Sequence, residues 1–257
     1  MRREVSDKSI GKLGLARLVL RSFYLQAAWN YESLQTLGFA YVMFPVARKL
    51  TSASAVAQEF AARHLTLFNT NPVLASYIIG ATAKLEEEHC NGRRSAADIE
   101  VLKSSLAVPL AALGDRFFWA NLRPFSGMLG VLIAGRAGLL GAIALLVLYN
   151  VFHVYYRVRG ALRGYALGAG VVGEISKLGL MKMSQTIGWL GAIVLGIMLV
   201  GVTYAWKNGW KREALFLFPL VAIASGLMPE ALQKRITEVA IAVGVVGLLL
   251  TAGGVLG

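Results

Sequence analysis

Residues 186–206, from Thr186 to Trp206, form an apolar run without a single charged side chain. That feature constrains the chain more than any other, because about 20 consecutive apolar residues are what a helix needs to cross the hydrocarbon core of a bilayer. Inside lipid every backbone N–H and C=O must be bonded within the protein, so a run of this kind reads as a membrane helix. Trp189 and Trp206 stand where interfacial aromatic anchors belong. Residues 127–152 and 236–257 are also long enough to span, although Arg136 in the first must snorkel or find a partner. Residues 214–228 are apolar but shorter than a full crossing, and residues 207–212 read as a short basic connection.

The composition agrees: 56% hydrophobic and only 16% charged residues, with 28 glycines, make a membrane profile rather than that of a soluble enzyme. A formal net charge of +12 raises nucleic acid as a partner. The cations, however, gather at the N-terminus (Arg2, Arg3, Lys8, Lys12, Arg17, Arg21) and beside apolar segments instead of forming one aromatic-studded stripe. Attraction to anionic lipid and retention on the cytoplasmic side explain that pattern, so no nucleic acid is expected. The same N-terminus lacks the compact apolar core and small-residue cleavage site of a secretory signal. It is expected in the cytoplasm, uncleaved, with the C-terminus outside. A lone Cys90 excludes an intrachain disulfide, and His64, His89 and His153 have no metal-ligand spacing. Neither a metal nor any other cofactor is expected.

The N-terminal half carries the polar chemistry. Residues 13–44 alternate apolar and polar groups at helical spacing, which places Gln26, Asn30 and Ser33 on one side of a helical wheel and Arg21, Glu32 and Gln35 roughly opposite. Two roles are open to that amide stripe: helix–helix hydrogen bonding, or contact with a ligand. Pro45 is expected to kink or end this helix, and residues 46–68 read as a surface or interfacial helix beginning near Thr51 or Ser52. His64 reads as structural.

Asn69-Thr70-Asn71-Pro72 then sets a helix start inside apolar surroundings, with Asn71 as N-cap and Pro72 as first helical residue. A broken helix of this kind in a membrane points free N–H groups and the positive end of its dipole into a cavity, where hydroxyl-rich or anionic ligands can meet them. The helix should end at Asn91-Gly92, and Glu86, Glu87 and Glu88 read as its solvated end. A further helix over about 96–108 leads to Pro109 and on to Gly114-Asp115, Trp119, Asn121 and Arg123-Pro124. At spacing i, i+4 Asp115 and Trp119 share a face, and a carboxylate beside an aromatic ring suits a sugar: charge-assisted bonds to hydroxyls, stacking on C–H faces. Asp115 is equally suited to capping a helix or pairing with Arg116 or Arg123.

Three stretches, Phe23 to Phe39, Arg63 to Pro72 and Pro109 to Pro124, closely resemble the IID subunit of the mannose-family (mannose/fructose/sorbose) phosphotransferase sugar transporters. The motifs stand in the family's order, and the likeness is strong over about residues 15–165. It implies an all-α integral membrane protein, with several transmembrane helices plus broken or re-entrant and interfacial helices, in a single domain over residues 1–257. Residues 1–126 would carry amphipathic and broken helices and residues 127–257 the transmembrane ones. It further implies a multi-pass protein of the bacterial inner membrane that pairs with a IIC subunit, as a trimer of IIC–IID heterodimers, to form the path of a mannose-like hexose. Separate IIA and IIB proteins would relay the phosphoryl group, so the chain itself would be a transporter subunit and not an enzyme. Arg116 and Asn121 depart from the small residue and the threonine usual at those positions, and the 207–213 connection is short.

The expected sugar-path residues are therefore Gln26, Asn30, Asn69, Asn71, Asp115, Trp119 and Arg123. A second function class, a regulatory or structural membrane partner that keeps the fold without passing sugar, is disfavoured by this intact polar set. A membrane-embedded enzyme would need carboxylates gathered as an acid/base pair, a pattern the sequence lacks.

Overall fold

A computed structural model describes residues 9–51 and 54–206. Its regular elements are helices: α1 (Gly11–Ser22), α2 (Thr36–Leu50), α3 (Ser54–His64), α4 (Ala75–Cys90), α5 (Ala96–Gly114), a π-helical segment (Asp115–Leu122), α6 (Arg123–Ala137), α7 (Leu139–Leu167), α8 (Val171–Ser176) and α9 (Leu180–Trp206). They divide into two compact units, one drawn from residues 9–123 and 145–184, the other from residues 124–144 and 185–206.

Residues 13–44 are not one helix. α1 stops at Ser22, a series of turns follows, and α2 starts only at Thr36. The break has a local cause at Asn30, whose Oδ1 accepts the backbone N–H groups of Glu32 (3.0 Å) and Ser33 (2.8 Å) while its amide donates to Ser33 Oγ (2.8 Å). A side chain that satisfies the backbone in this way offers an alternative to the helical ladder. Leu34 then takes φ 52°, a left-handed conformation that no continuing helix allows.

Pro45 lies inside α2, and the helix runs on to Leu50. Having no N–H, it leaves the Tyr41 carbonyl without its partner four residues on, and Arg21 Nη1 fills that place at 2.9 Å. Pro109 likewise sits inside α5 and does not end it. The boundary at the other end of α4 falls where expected: Asn91 follows Cys90, and Gly92 takes φ +72°.

α4 is the core of the first unit, with Ala75 through Ala83 all buried. It packs against α7 through small residues: a Cβ on Gly164 would stand 2.4 Å from the Tyr77 carbonyl oxygen, one on Gly80 2.2 Å from that of Ala161, and one on Gly160 2.1 Å from Ser76 Oγ. Gly160 and Gly164 thus form a G-x-x-x-G face that lets two backbones touch. Arg157, on the same helix and buried, donates to the carbonyl of Ser22, the last residue of α1.

In the second unit Gly138 (φ +52°) separates α6 from α7, so the apolar run 127–152 is two helices. A glycine reaches that conformation without a Cβ clash. Gly141 then packs against the Gly130 carbonyl and Ala134. Residues 153–185 are largely helical as well, because α7 continues to Leu167 and α8 and the start of α9 follow. Among the described residues two helical stretches, Leu139–Ser176 and Leu180–Met198, are long and apolar enough to cross a membrane. Expectations for residues 207–257, the 214–228 and 236–257 segments among them, lie outside the described residues.

Candidate functional site

Phe68 to Asn71 is an extended segment whose backbone is held by side chains. Gln35 clamps Thr70, its Nε2 donating to the Thr70 carbonyl (2.7 Å) and its Oε1 accepting the Thr70 N–H (3.2 Å). One residue along, Thr36 Oγ1 accepts the Phe68 N–H (3.0 Å) and donates to the Thr66 carbonyl (3.1 Å). Irregular backbone buried in protein needs such partners.

Asn71, buried, closes the first turn leading into α4: its Oδ1 accepts the N–H groups of Val73 (3.1 Å) and Leu74 (3.3 Å). Its amide donates to Asp115 Oδ1 at 3.0 Å. A Cβ on Gly114 would fall 2.3 Å from Asn71 Cγ, so only glycine admits this approach. The Asn-Pro and Gly-Asp motifs, more than forty residues apart, are one contact. Asp115 opens the π-helical segment, a rare wide-turn element frequently found at functional sites.

Around that contact lies a cavity of about 320 Å³ lined by Gln26, Trp29, Gln35, Asn69, Thr70, Ala111, Asp115 and Trp119. Its volume is at the lower end of the about 300–1,000 Å³ usual for small-molecule sites. Gln26, Asn69, Asp115 and Trp119 of the expected set meet here. Asn71 stands behind the wall as the residue that orients Asp115, Asn30 is engaged in its own turn, and Arg123 is exposed and outside the lining. Trp29, Gln35 and Thr70 join the lining without having been expected. A helical wheel set Gln35 opposite Gln26, and the wheel does not apply where the chain turns. Trp29 stacks edge-on with Tyr31 at 4.9 Å. Asn121 donates to the Arg116 carbonyl (2.7 Å) and to Ser184 Oγ (2.8 Å).

Beneath this segment is a charged cluster that corrects the reading of Glu86–Glu88 as a solvated end. Glu86 and Glu87 are buried, and only Glu88 keeps contact with solvent. Arg63 grips Glu86 in bidentate fashion (Nε to Oε1 3.0 Å, Nη2 to Oε2 2.9 Å), and His64 Nε2 lies 3.0 Å from Glu86 Oε1. That last approach is close enough for attraction, but its geometry is not that of a good hydrogen bond. Lys103 Nζ donates to the Arg63 carbonyl (2.7 Å) and to Thr66 Oγ1 (3.2 Å). Burial pulls the Lys103 ammonium down to about 8. Burial also lowers His64, helped by Lys103 and Arg63 and opposed by Glu86. Burial would raise Glu86, but the close approach of His64 and the two bonds from Arg63 outweigh it and hold the carboxyl below its ordinary range. The cluster fixes where α3 ends and hence where the segment carrying Asn69 begins.

Residues 9–252 match the sequence profile of the PTS system mannose/fructose/sorbose family IID component. The PTS mannose-specific EIID component of Escherichia coli strain K12 is 33% identical over 253 residues, covering 96% of this chain and 85% of that protein. The fructose permease IID component of Bacillus subtilis strain 168 is 30% identical over 75% of this chain and 70% of its own length. A solved membrane-protein structure superposes with TM-score 0.75 at 29% identity, covering 96% of this chain and 98% of the other. The cryo-EM structure of the mannose transporter ManYZ in complex with microcin E492 superposes with TM-score 0.61 at 30% identity over the same shares. With its profile match running through both the Asn-Pro and the Gly-Asp motifs, the chain belongs to the mannose/fructose/sorbose family of phosphotransferase-system IID components.

Proposed function

We propose that the cavity between Gln26, Asn69, Asp115 and Trp119 is where this membrane subunit of a sugar phosphotransferase transporter meets its sugar. The observation that carries the reading is the Asn71–Asp115 contact, which holds one carboxylate oxygen and turns the group toward a cavity walled by three amides and two indole rings. Oδ2 of Asp115 takes no hydrogen bond among the described residues, so it can accept one from a sugar hydroxyl. Trp119 and Trp29, both partly exposed, offer faces on which the C–H side of a pyranose can stack. Neutral amides around one carboxylate orient hydroxyls without the tight grip that would hinder release.

A IIC subunit would supply the rest of the path, since the apolar faces of α7 and α9 are largely uncovered in this chain and need protein or lipid against them. The chain has no phosphoryl-transfer role in this scheme: separate IIA and IIB proteins would deliver the phosphoryl group to a mannose-like hexose, on a trimer of IIC–IID heterodimers. The assembly would sit in the bacterial inner membrane as a multi-pass protein with the N-terminus cytoplasmic.

Titrating hexose into the purified two-subunit complex tests the site. Asp115→Asn keeps an oxygen for Asn71 but removes the charge, and a hydrogen bond to a charged group contributes about 1.5–3 kcal/mol, so sugar affinity should fall roughly ten- to a hundredfold. Unchanged affinity in a complex with an unchanged melting temperature would move Asp115 out of the sugar site.

A further inference from the structure

α1 and α2 contain no acidic residue, yet five cations, Lys12, Arg17, Arg21, Arg48 and Lys49. Four of them, Arg17, Arg21, Arg48 and Lys49, surround a cavity of about 340 Å³ whose remaining walls are Phe44 and Pro45. None of the four forms an ion pair with a carboxylate among the described residues. Four like charges brought together without a counter-ion repel one another, and such an arrangement is relieved by an anion.

The cavity is organised by the proline that interrupts the α2 ladder. Arg21 is pinned by its bond to the Tyr41 carbonyl freed by Pro45, and its guanidinium lies 4.4 Å from the Tyr41 ring centroid and 5.5 Å from that of Phe44. Arg48, one turn beyond Phe44, faces the same ring at 5.9 Å. Arg17 precedes Arg21 by one turn and so projects from the same face of α1. Two of the four cations are thus oriented before any ligand arrives, which lowers the ordering cost of binding.

A second cavity of about 400 Å³ adjoins the first. It is walled by Arg21, Ala40, Tyr41 and Phe44, so the two share Arg21 and Phe44. The second is apolar apart from Arg21, and Tyr41 and Phe44 are each about half exposed, at 47% and 50%. A basic cavity continuous with an apolar one matches a molecule that is a phosphate at one end and a hydrocarbon chain at the other.

We propose that the Arg17–Arg21–Arg48–Lys49 cavity binds the phosphate headgroup of an anionic glycerophospholipid while the adjoining Ala40–Tyr41–Phe44 cavity takes the start of its acyl chain. A free phosphate would fill only the first cavity, and a neutral lipid would leave the four cations unmatched. The site is separate from the sugar cavity and stands whether or not that one binds hexose.

Native mass spectrometry of the full chain with its membrane partner, titrated in detergent with dioleoyl phosphatidylglycerol, dioleoyl phosphatidylcholine or inorganic phosphate, provides the test. The charge-removing variant is Arg17→Gln/Arg48→Gln, which leaves the Arg21–Tyr41 bond alone. Its half-saturating phosphatidylglycerol concentration should rise roughly ten- to thirtyfold, as expected for losing two cations at a lipid headgroup. Arg17→Lys/Arg48→Lys should bind nearly as the wild type does, which separates lost charge from lost folding. Removing two charges elsewhere, Arg136→Gln/Lys177→Gln, should have no effect. Ala40→Phe, which fills the apolar cavity and lies outside the lining of the basic one, should weaken phosphatidylglycerol binding without altering any binding of inorganic phosphate. Equal binding of phosphatidylcholine, equal loss in the distant double variant, or full displacement of the lipid by inorganic phosphate would each overturn the proposal. So would release of a protein subunit by Arg17→Gln/Arg48→Gln with lipid binding unchanged, which would make the patch a protein interface.

Discussion

Glu86 joins α4 to the end of α3 through two neighbours in sequence, Arg63 and His64, and all three side chains are buried. A buried ion pair is weak support for stability as such, but removing one partner leaves the other charge stranded. Glu86→Gln should therefore destabilise the protein by about 3–5 kcal/mol, seen as a lowered thermal midpoint. The same group sets a pH dependence. His64, facing Glu86, Arg63 and Lys103, has a folded-state pKa below its ordinary 6.5. The unfolded chain then binds the imidazole proton more readily than the folded one, so this contribution is complete above pH 6.5 and is lost as pH falls below it. Glu86 works in the same direction from pH 4.5 downward, since its folded pKa lies below that value. Thermal midpoints between pH 7.5 and pH 5 should fall for the wild type and fall less for His64→Asn; parallel curves would remove His64 as the cause.

Among the elements, the α4–α7 pair rests on glycine. At Gly164 an added Cβ would meet the Tyr77 carbonyl oxygen at 2.4 Å and the Ala81 nitrogen at 2.9 Å, both backbone atoms that no rotamer change can move aside. Gly164→Ala should force the two helices apart at a cost of about 1–3 kcal/mol. Gly173, also helical, has open space where its Cβ would go. Gly173→Ala should be neutral or mildly stabilising, because alanine loses less backbone freedom on folding. Comparing the two midpoints separates close helix packing from a general effect of adding a methyl group, and equal midpoints would argue against the packing role.

For the molecule as a whole, the two stretches among the described residues that are long and apolar enough to cross a membrane are mostly uncovered, only 11% and 28% of their most apolar windows being buried within the chain. Leu139, Leu140, Leu146, Val147 and Val151 all stand exposed. Lipid can cover such side chains, but the irregular backbone of residues 23–35 and 65–74 needs protein or water around it. The chain should therefore be unstable apart from a membrane partner. A partner-free preparation in detergent that runs as one monodisperse species with a sharp, high melting transition would contradict this.

Composition, the uninterrupted run from Thr186 to Trp206 and the order of the three motifs were sufficient by themselves to establish an all-α membrane protein and its family. Hydropathy and motif order are one-dimensional properties, summed or read along the chain. The helix ending at Cys90 was legible too, since Asn91-Gly92 acts within one turn. What sequence periodicity misjudged were the places where a side chain competes with the backbone or a distant group replaces a missing donor. Asn30 broke a helix that the wheel extended through it, and Arg21 completed the ladder that Pro45 opened, so the helix continued. Gln35 entered the cavity wall because the chain turns before it, and Glu86 left solvent because Arg63 and His64 arrive from another helix. Only tertiary structure brings Asn71 to Asp115, because the approach depends on the absent side chain of Gly114 in a helix more than forty residues away.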